Sequence, residues 1–319
     1  MINDTVLIIG ANGQLGSVLS EELQKIHGKD NVIASDVYLN STFNGVFEII
    51  DATDIKAIEN IVNKYAVNQI YHLAAILSAK GEKNPLRTWD LNISMMLNVF
   101  EVSRTNNVKK VFFPSSIAVF GDKAPLENTP QSAFLNPATV YGMSKAAGEN
   151  WAQYYFNKYG LDVRSIRYPG IIGYQSMPGG GTTDYAVDIY HSAVKQEKYS
   201  CFLNPETKLP MIFMDDAIRS TIELMQAPKE SIKTRTSYNL GSMSFSPNEI
   251  TEEIQKLYPN FKVEYNADFR QEIADKWPKS INDDEARKDW NWKPKYDLKL
   301  MTLVMLEKLE KKYNTTTLK

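Results

Sequence analysis

An α/β fold built on a doubly wound parallel sheet, with a smaller, partly discontinuous lobe toward the C-terminus, is what this sequence predicts. Three observations carry it. Short runs of branched apolar residues such as Val6-Leu-Ile-Ile9 alternate with longer amphipathic stretches such as residues 15–26 and 55–65, the pattern of strands buried under helices on both faces. The first run empties into Gly10-Ala-Asn-Gly13-Gln-Leu-Gly16, a glycine turn between a strand and a helix. A chain of 319 residues with 43% hydrophobic content is also long enough to bury a large core and form two lobes.

Charge and cysteine usage narrow the partners. Lys and Arg total 36 against 38 Asp and Glu, a net charge of -2, so nothing calls for nucleic acid or an anionic membrane. A small molecule is the expected partner. Cys201 is the single cysteine, which excludes an intrachain disulfide and a cysteine-based metal site and suits a reducing compartment. No metal is expected. The residues before Val6 and the four-residue apolar run after them are too short for a signal peptide or membrane span, and a cytoplasmic location is expected.

Each element then has its own warrant. The strand at 6–9, the glycine turn and the helix carrying Leu15, Val18, Leu19, Leu23 and Ile26 place backbone N–H groups and a helix N-terminus where a pyrophosphate can sit. This assigns Gly10, Asn12, Gly13, Gln14, Leu15 and Gly16 to a dinucleotide site on a Rossmann-type sheet. A second strand, Val32-Ile-Ala-Ser-Asp36, ends in a carboxylate twenty residues after Gly16, where a ribose 2′-hydroxyl would bind. Asp36 would repel a 2′-phosphate, and Val37 and Tyr38 supply no cation for one, so NAD is favoured over NADP. Phe47-Glu-Ile-Ile-Asp51 reads as a third strand, with Asp51 and Ala52 facing the adenine. After a helix at 55–65, the strand Gln69-Ile-Tyr-His-Leu73 and the small pair Ala74 and Ala75 let a cofactor lie close to the backbone. His72 reads as a core histidine of that strand, and Ser78 as a substrate contact.

A long helix from 85 to 106 carries Met95 and Met96 as core or partner surface, and its Asn92 is counted with the cofactor residues. Lys110-Val-Phe-Phe-Pro-Ser-Ser116 is the fifth strand, with Ser115 and Ser116 at the carboxyl end, where an open parallel sheet binds ligands. Asn136 as N-cap and Pro137 at the first turn predict a helix beginning near Ala138. Four residues apart on it, Tyr141 and Lys145 share a face. An ammonium beside a phenol favours the phenolate, which would make Tyr141 a usable base. The spacing alone says little, because Tyr154/Lys158 and Tyr258/Lys262 repeat it. The sixth strand runs from 162 to Tyr168 and leads into Pro169-Gly-Ile-Ile-Gly173.

Further on, Gly179, Gly180 and Gly181 precede Thr182, Thr183 and Asp184. Free backbone N–H groups and two hydroxyls at a helix start suit a small carboxylate. A capped loop explains the same residues equally well. Ser246-Pro-Asn-Glu249 is a capping box, and the last helix spans 298–309 with a charged end at 308–312 and a disordered tail at 315–319.

Taken together and in order, Gly10/Gly13/Gly16, Ser115-Ser116-Ile-Ala-Val-Phe-Gly121 and Tyr141-Gly-Met-Ser-Lys145 resemble the extended short-chain dehydrogenase/reductase family, which includes sugar-nucleotide epimerases and dehydratases. The resemblance implies Tyr141 as general base, Lys145 bonded to the nicotinamide ribose, and Ser116 holding the substrate hydroxyl, with Ser115 as the alternative. It implies that Tyr168, Pro169 and Ile171 pack on the nicotinamide. The segment 177–187, Trp277-Pro-Lys-Ser-Ile-Asn-Asp283 and residues 286–294 narrow the resemblance to the short-chain type of L-threonine 3-dehydrogenase. That implies NAD-dependent oxidation of L-threonine to 2-amino-3-oxobutanoate, with Ser78, Ser116, Tyr141, Gly181, Thr182, Thr183 and Asp184 around the substrate, and a homodimer formed through the helices of Met95 and Tyr141. Arg270 falls where sugar-nucleotide relatives hold a phosphate, but reads here as a surface salt bridge. Trp277, Trp290 and Trp292 read as packing residues. The expected division is 1–172 with 213–241 as the NAD-binding part, and 173–212 with 242–319 as the substrate lobe. A sugar-nucleotide epimerase or dehydratase and a non-catalytic dinucleotide sensor are the alternative readings.

Overall fold

The computed structural model describes residues 4–177, 179 and 181–317. In chain order, β1 (Val6–Ile9), α1 (Gln14–His27), β2 (Val32–Asp36) and β3 (Val46–Ile49) are followed by α2 (Ile55–Tyr65) and β4 (Gln69–His72). A short α3 (Ser78–Gly81) and the long α4 (Pro85–Thr105) lead to β5 (Lys110–Ser116), α5 (Val140–Tyr159) and β6 (Asp162–Tyr168). Then come β7 (Gly170–Ile172), α6 (Tyr185–Val194), β8 (Tyr199–Cys201), β9 (Leu209–Phe213), α7 (Met214–Gln226) and β10 (Tyr238–Asn239). The chain closes with β11 (Met243–Phe245), α8 (Pro247–Gln255), β12 (Val263–Tyr265), α9 (Arg270–Ala274), α10 (Asp284–Trp290) and α11 (Leu298–Thr317).

The central sheet has seven parallel strands in the order β10-β6-β5-β4-β1-β2-β3. Every residue of β1 and β6 is buried, which is why those segments read as continuous apolar or charge-paired runs instead of alternating ones. Leu19, Leu23, Ile218 and Leu224 cover one face, and Ile58, Val62, Val99 and Phe100 the other. The strand order reverses between β2 and β4 on either side of β1, so a crevice opens at the carboxyl end of β1, where Gly10 lies.

Outside this sheet, β11, β9 and β7 form a three-stranded sheet and β12 pairs with β8. Tyr190, Phe245, Ile250, Met301 and Met305 make a separate core there. Trp277 joins that core, whereas Trp290 and Trp292 pack in the cluster of the central sheet. Trp292 Nε1 donates to the Gly241 carbonyl at 3.1 Å, and the Arg219 guanidinium lies 4.5 Å from its ring centroid. No helix among the described residues is long and apolar enough to cross a membrane.

Local chemistry moved two helix boundaries. α5 begins at Val140, not near Ala138, and its cap is Thr139, whose Oγ1 accepts from Gly142 N at 3.1 Å. Asn136 is committed elsewhere: its Nδ2 donates to Asp122 Oδ1 at 2.6 Å. Its carbonyl also lies 2.1 Å from where a Cβ on Gly121 would stand, so residues 136–137 run along the loop instead of opening the helix. α11 runs on through Thr317, past the charged end at 308–312; 318 and 319 lie outside the described residues. The capping box is present, with Ser246 and Glu249 each satisfying the other's backbone N–H.

Candidate active site

The glycine turn is tight because its backbone has no room for side chains. Gly10 has φ +92°, and a Cβ there would meet Ala74 N at 2.6 Å; one on Gly16 would meet the Gly10 carbonyl at 2.3 Å. Only glycine fits both places. The amides of Gly10 and Ala11 donate to Ser35 O at 2.9 Å, which ties the turn to β2. α1 then starts with no side-chain cap and no acidic residue in its first turn, leaving its N–H groups and dipole directed at an anion. Gln14 Nε2 reaches across to the Ile171 carbonyl at 3.5 Å.

Asp36 stands beside this turn. Its Oδ2 accepts from Asn12 N at 2.9 Å and its Oδ1 from Val37 N at 2.8 Å, while Asn12 Nδ2 donates to Tyr38 O at 2.9 Å. β3 ends at Ile49, and Asp51 folds into a turn in which Oδ1 accepts the amide and hydroxyl of Thr53 at 2.9 and 2.8 Å. Ala52 is buried, its carbonyl taken by Asn98 Nδ2 at 3.1 Å. Ala74 lies directly under Gly10. Asn92 is fully used: Oδ1 accepts from Ile76 N at 2.8 Å, and Nδ2 donates to Ile76 O at 3.1 Å and Ser144 Oγ at 3.3 Å. It fastens the loop after β4 to α5 and does not line the cleft.

A single cleft gathers the glycine turn with Gln14 and Leu15, then Leu73 and Ala75 after β4, and Tyr168, Pro169 and Ile171 after β6. The same cleft is lined by Ser78, Ser116, Tyr141 and Lys145 and by Gly181, Thr182, Thr183 and Asp184. These residues come from six separate stretches of chain. Trp277 also lines the cleft, a place the reading of it as a packing residue missed. Its packing role holds as well; the segment around it carried the resemblance, but only the fold brings the indole to the cleft.

Ser116 Oγ caps the following turn by accepting Ala118 N at 3.2 Å, and the Ser116 side chain is close enough to the Tyr141 phenol to favour its ionised form. Ser115 also lines the cleft, but its Oγ is committed to Glu149 Oε1, to which it donates at 2.6 Å. Lys145 is 5% exposed, with Nζ 4.5 Å from the Phe113 ring centroid and 5.5 Å from that of Tyr141. Burial pushes Lys145 down to about 7, and it pushes Tyr141 up to about 12 despite the Ser116 side chain. The expected lowering of the phenol by its ammonium neighbour is thus not found in the chain alone, because desolvation is the largest influence on both groups. The other two Tyr/Lys pairs are surface features: Lys158 Nζ reaches Tyr154 Oη at 2.6 Å in solvent, and Tyr258 donates to Glu310. His72 is buried against Phe113, their rings 6.4 Å apart, and desolvation holds it down to about 3.

In the stretch 181–184, Gly181 N donates to Asp184 Oδ2 at 2.6 Å. That amide is occupied, contrary to the expectation of a free glycine backbone; Gly180 lies outside the described residues. Thr183 packs on β7, its Cβ and methyl both 2.7 Å from where a Cβ on Gly170 would stand. Thr182 is 1% exposed and Trp277 6%, and neither Thr182 Oγ1 nor Trp277 Nε1 has a hydrogen-bond partner among the described residues. Two buried polar groups left unpaired in a cleft are costly unless a ligand satisfies them. Arg270 pairs with Asp268 at 2.6 Å and stacks on Phe202, as the surface-bridge reading expects.

Residues 6–241 match the family model described as the NAD dependent epimerase/dehydratase family. The chain belongs to that family. An uncharacterised epimerase/dehydratase of Staphylococcus haemolyticus is 45% identical over 97% of this chain and 98% of its own length. Among solved structures, the holo form of a GalE-like L-threonine dehydrogenase from Cupriavidus necator is 49% identical with a TM-score of 0.95, covering 96% of this chain and 99% of that one. A monomeric L-threonine 3-dehydrogenase from a metagenome is 50% identical with a TM-score of 0.93 over the same shares. For this epimerase/dehydratase family member, the seven-stranded parallel sheet and the NAD-dependent oxidoreductase class follow together.

Proposed function

We propose that this chain oxidises L-threonine at its secondary alcohol to 2-amino-3-oxobutanoate, with NAD as acceptor. The observation that carries the reading is the pairing, in one cleft, of the Ser116/Tyr141 couple with the unpartnered Thr182 hydroxyl and Trp277 indole N–H. The whole-length similarity to L-threonine dehydrogenases supports the choice of substrate.

The cradle of Gly10 and Gly16 and the uncapped start of α1 fit a dinucleotide. Asp36 would hold the adenosine ribose, Lys145 the nicotinamide ribose, and Pro169 and Ile171 the nicotinamide face. NAD, when bound, supplies the hydride acceptor. Ser116 donates a hydrogen bond to the substrate hydroxyl, and Tyr141 removes that hydroxyl's proton as the C–H bond breaks. Thr182 Oγ1 and Trp277 Nε1 hold the substrate carboxylate, with Asp184 toward the ammonium. Thr182, Trp277 and Asp184 thereby fix the zwitterion while Ser116 and Tyr141 address its alcohol.

NADH formation measured on L-threonine, L-serine and UDP-sugars tests the reading. Turnover with L-threonine is expected. Interconversion of UDP-sugars without net NADH from L-threonine would replace it with an epimerase.

We also propose a cytoplasmic homodimer, assembled through the outer faces of α4 and α5, where Leu86, Trp89, Met143 and Trp151 are exposed. Exposed apolar side chains on two helices packed together fit a second copy of the same pair. The monomeric relative makes light scattering at micromolar concentration the decisive measurement, and a 36.2 kDa species would exclude the dimer.

A further inference from the structure

Behind the cleft, and outside the roles assigned so far, lies a buried charged cluster. Glu149 follows Lys145 by one turn on α5, Arg167 precedes Tyr168 on β6, and Ser115 precedes Ser116 on β5. Glu149 Oε1 accepts from Ser115 Oγ at 2.6 Å and from Arg167 Nε at 2.9 Å, and Oε2 accepts from Arg167 Nη2 at 2.7 Å. Glu149 is 1% and Arg167 4% exposed. Arg167 Nη1 continues to Gln131 O at 2.9 Å and Asn239 Oδ1 at 3.0 Å. Asn239 Nδ2 in turn donates to Thr129 O and Asn282 O, both at 3.1 Å.

Stability alone is a poor reason to keep such a pair, because two charges lose their hydration on burial and well-packed apolar residues of similar volume are often as stable. What the cluster does that apolar side chains cannot is to bond three elements directionally, each at the residue next to, or one turn from, a group lining the cleft. The neighbours are Ser116, Lys145 and the Tyr168-Pro169 step, and through Asn282 the chain that carries Trp277. The reaction requires Ser116 and Tyr141 to meet one substrate oxygen, and a displacement of about 1 Å can cost on the order of a hundredfold in rate.

We propose that Glu149 and Arg167 are positioning residues: through Ser115 they hold Ser116 in register with Tyr141, and through Arg167 they set Tyr168 and Pro169 against the nicotinamide. This rests on the oxidoreductase reading above. The test is the double variant Glu149→Leu/Arg167→Met, which removes both charges at similar volume and leaves no ion unpaired. It should fold, with an unfolding midpoint some degrees below that of the wild type because Ser115 Oγ, Gln131 O and Asn239 Oδ1 lose their buried partners, and bind NADH within about threefold of wild type. The emission of its bound NADH should differ from that of NADH bound to the wild type, and kcat with L-threonine should fall about ten- to a hundredfold at little-changed KM for NAD. A folded double variant with wild-type emission and wild-type kcat overturns the proposal. If the double variant does not fold, Ser115→Ala decides, since it leaves the ion pair intact: kcat should fall about three- to tenfold. An unchanged kcat there, or a loss as large as that of Ser116→Ala, which would make Ser115 the reacting hydroxyl, overturns the positioning role. A wild type inactive on L-threonine would sink the substrate reading alone, with NADH emission still deciding this one.

Discussion

Lys145 Nζ stands 5.5 Å from the Tyr141 ring centroid on the shared face of α5, with the Phe113 ring 4.5 Å away on its other side. Enclosed this way, the two groups shift away from charge together, the amine to about 7 and the phenol to about 12.

The base role of Tyr141 therefore predicts an alkaline-rising profile. A phenol must lose its proton to act, and in the free enzyme it does so above the ordinary value of 10.0. Initial rates of NADH formation should give a kcat/KM for L-threonine that still climbs between pH 8 and 10. Tyr141→Phe should flatten that rise and cut kcat by orders of magnitude while NAD still binds. Tyr154→Phe, on the solvent-exposed pair, should be close to wild type; a comparable loss there would remove the distinction between the two tyrosines.

Lys145 should be a stability cost that the fold tolerates for activity. The folded chain releases its proton at about 7 and the unfolded chain near 10.5, so between those values the unfolded state binds more protons and stability rises with pH. The penalty is largest below pH 7 and fades toward 10.5. Lys145→Met should raise Tm at pH 6 by several degrees, show a smaller gain at pH 9.5, and lose turnover. Equal gains at both pH values would count against a buried amine.

Asp36 is held beside the glycine turn by Asn12 N at 2.9 Å and Val37 N at 2.8 Å. A fixed carboxylate there should repel a 2′-phosphate, so kcat/KM should favour NAD over NADP widely. Asp36→Ala should narrow the gap mainly by weakening NAD. Equal use of both cofactors by the wild type would refute this assignment.

The substrate wall makes the riskiest claim. Thr182→Val removes the buried hydroxyl and Trp277→Phe the indole N–H, each without a large cavity. Each should raise KM for L-threonine by an amount equivalent to about 1–3 kcal/mol, the cost of leaving a buried partner unpaired. KM for NAD should hardly move. Unaltered L-threonine kinetics in both variants would place the carboxylate elsewhere.

What the sequence by itself determined is local. The apolar runs of β1, β2 and β5, the glycine turn, the carboxylate ending β2 and the four-residue step from Tyr141 to Lys145 all follow from short-range periodicity and backbone sterics, which are written in adjacent residues. What only the tertiary structure decided depends on contacts between distant segments. Thr139 caps α5 because Asn136 is drawn to Asp122. Asn92 is consumed by Ile76 and Ser144, Gly181 N by Asp184, and Trp277 reaches the cleft from a second hydrophobic core. The commitment of Ser115 to Glu149 and the direction of both pKa shifts at Tyr141 and Lys145 belong to the same class. Hydrogen-bond partners and desolvation are set by whichever groups the fold brings together, and no spacing along the chain encodes them.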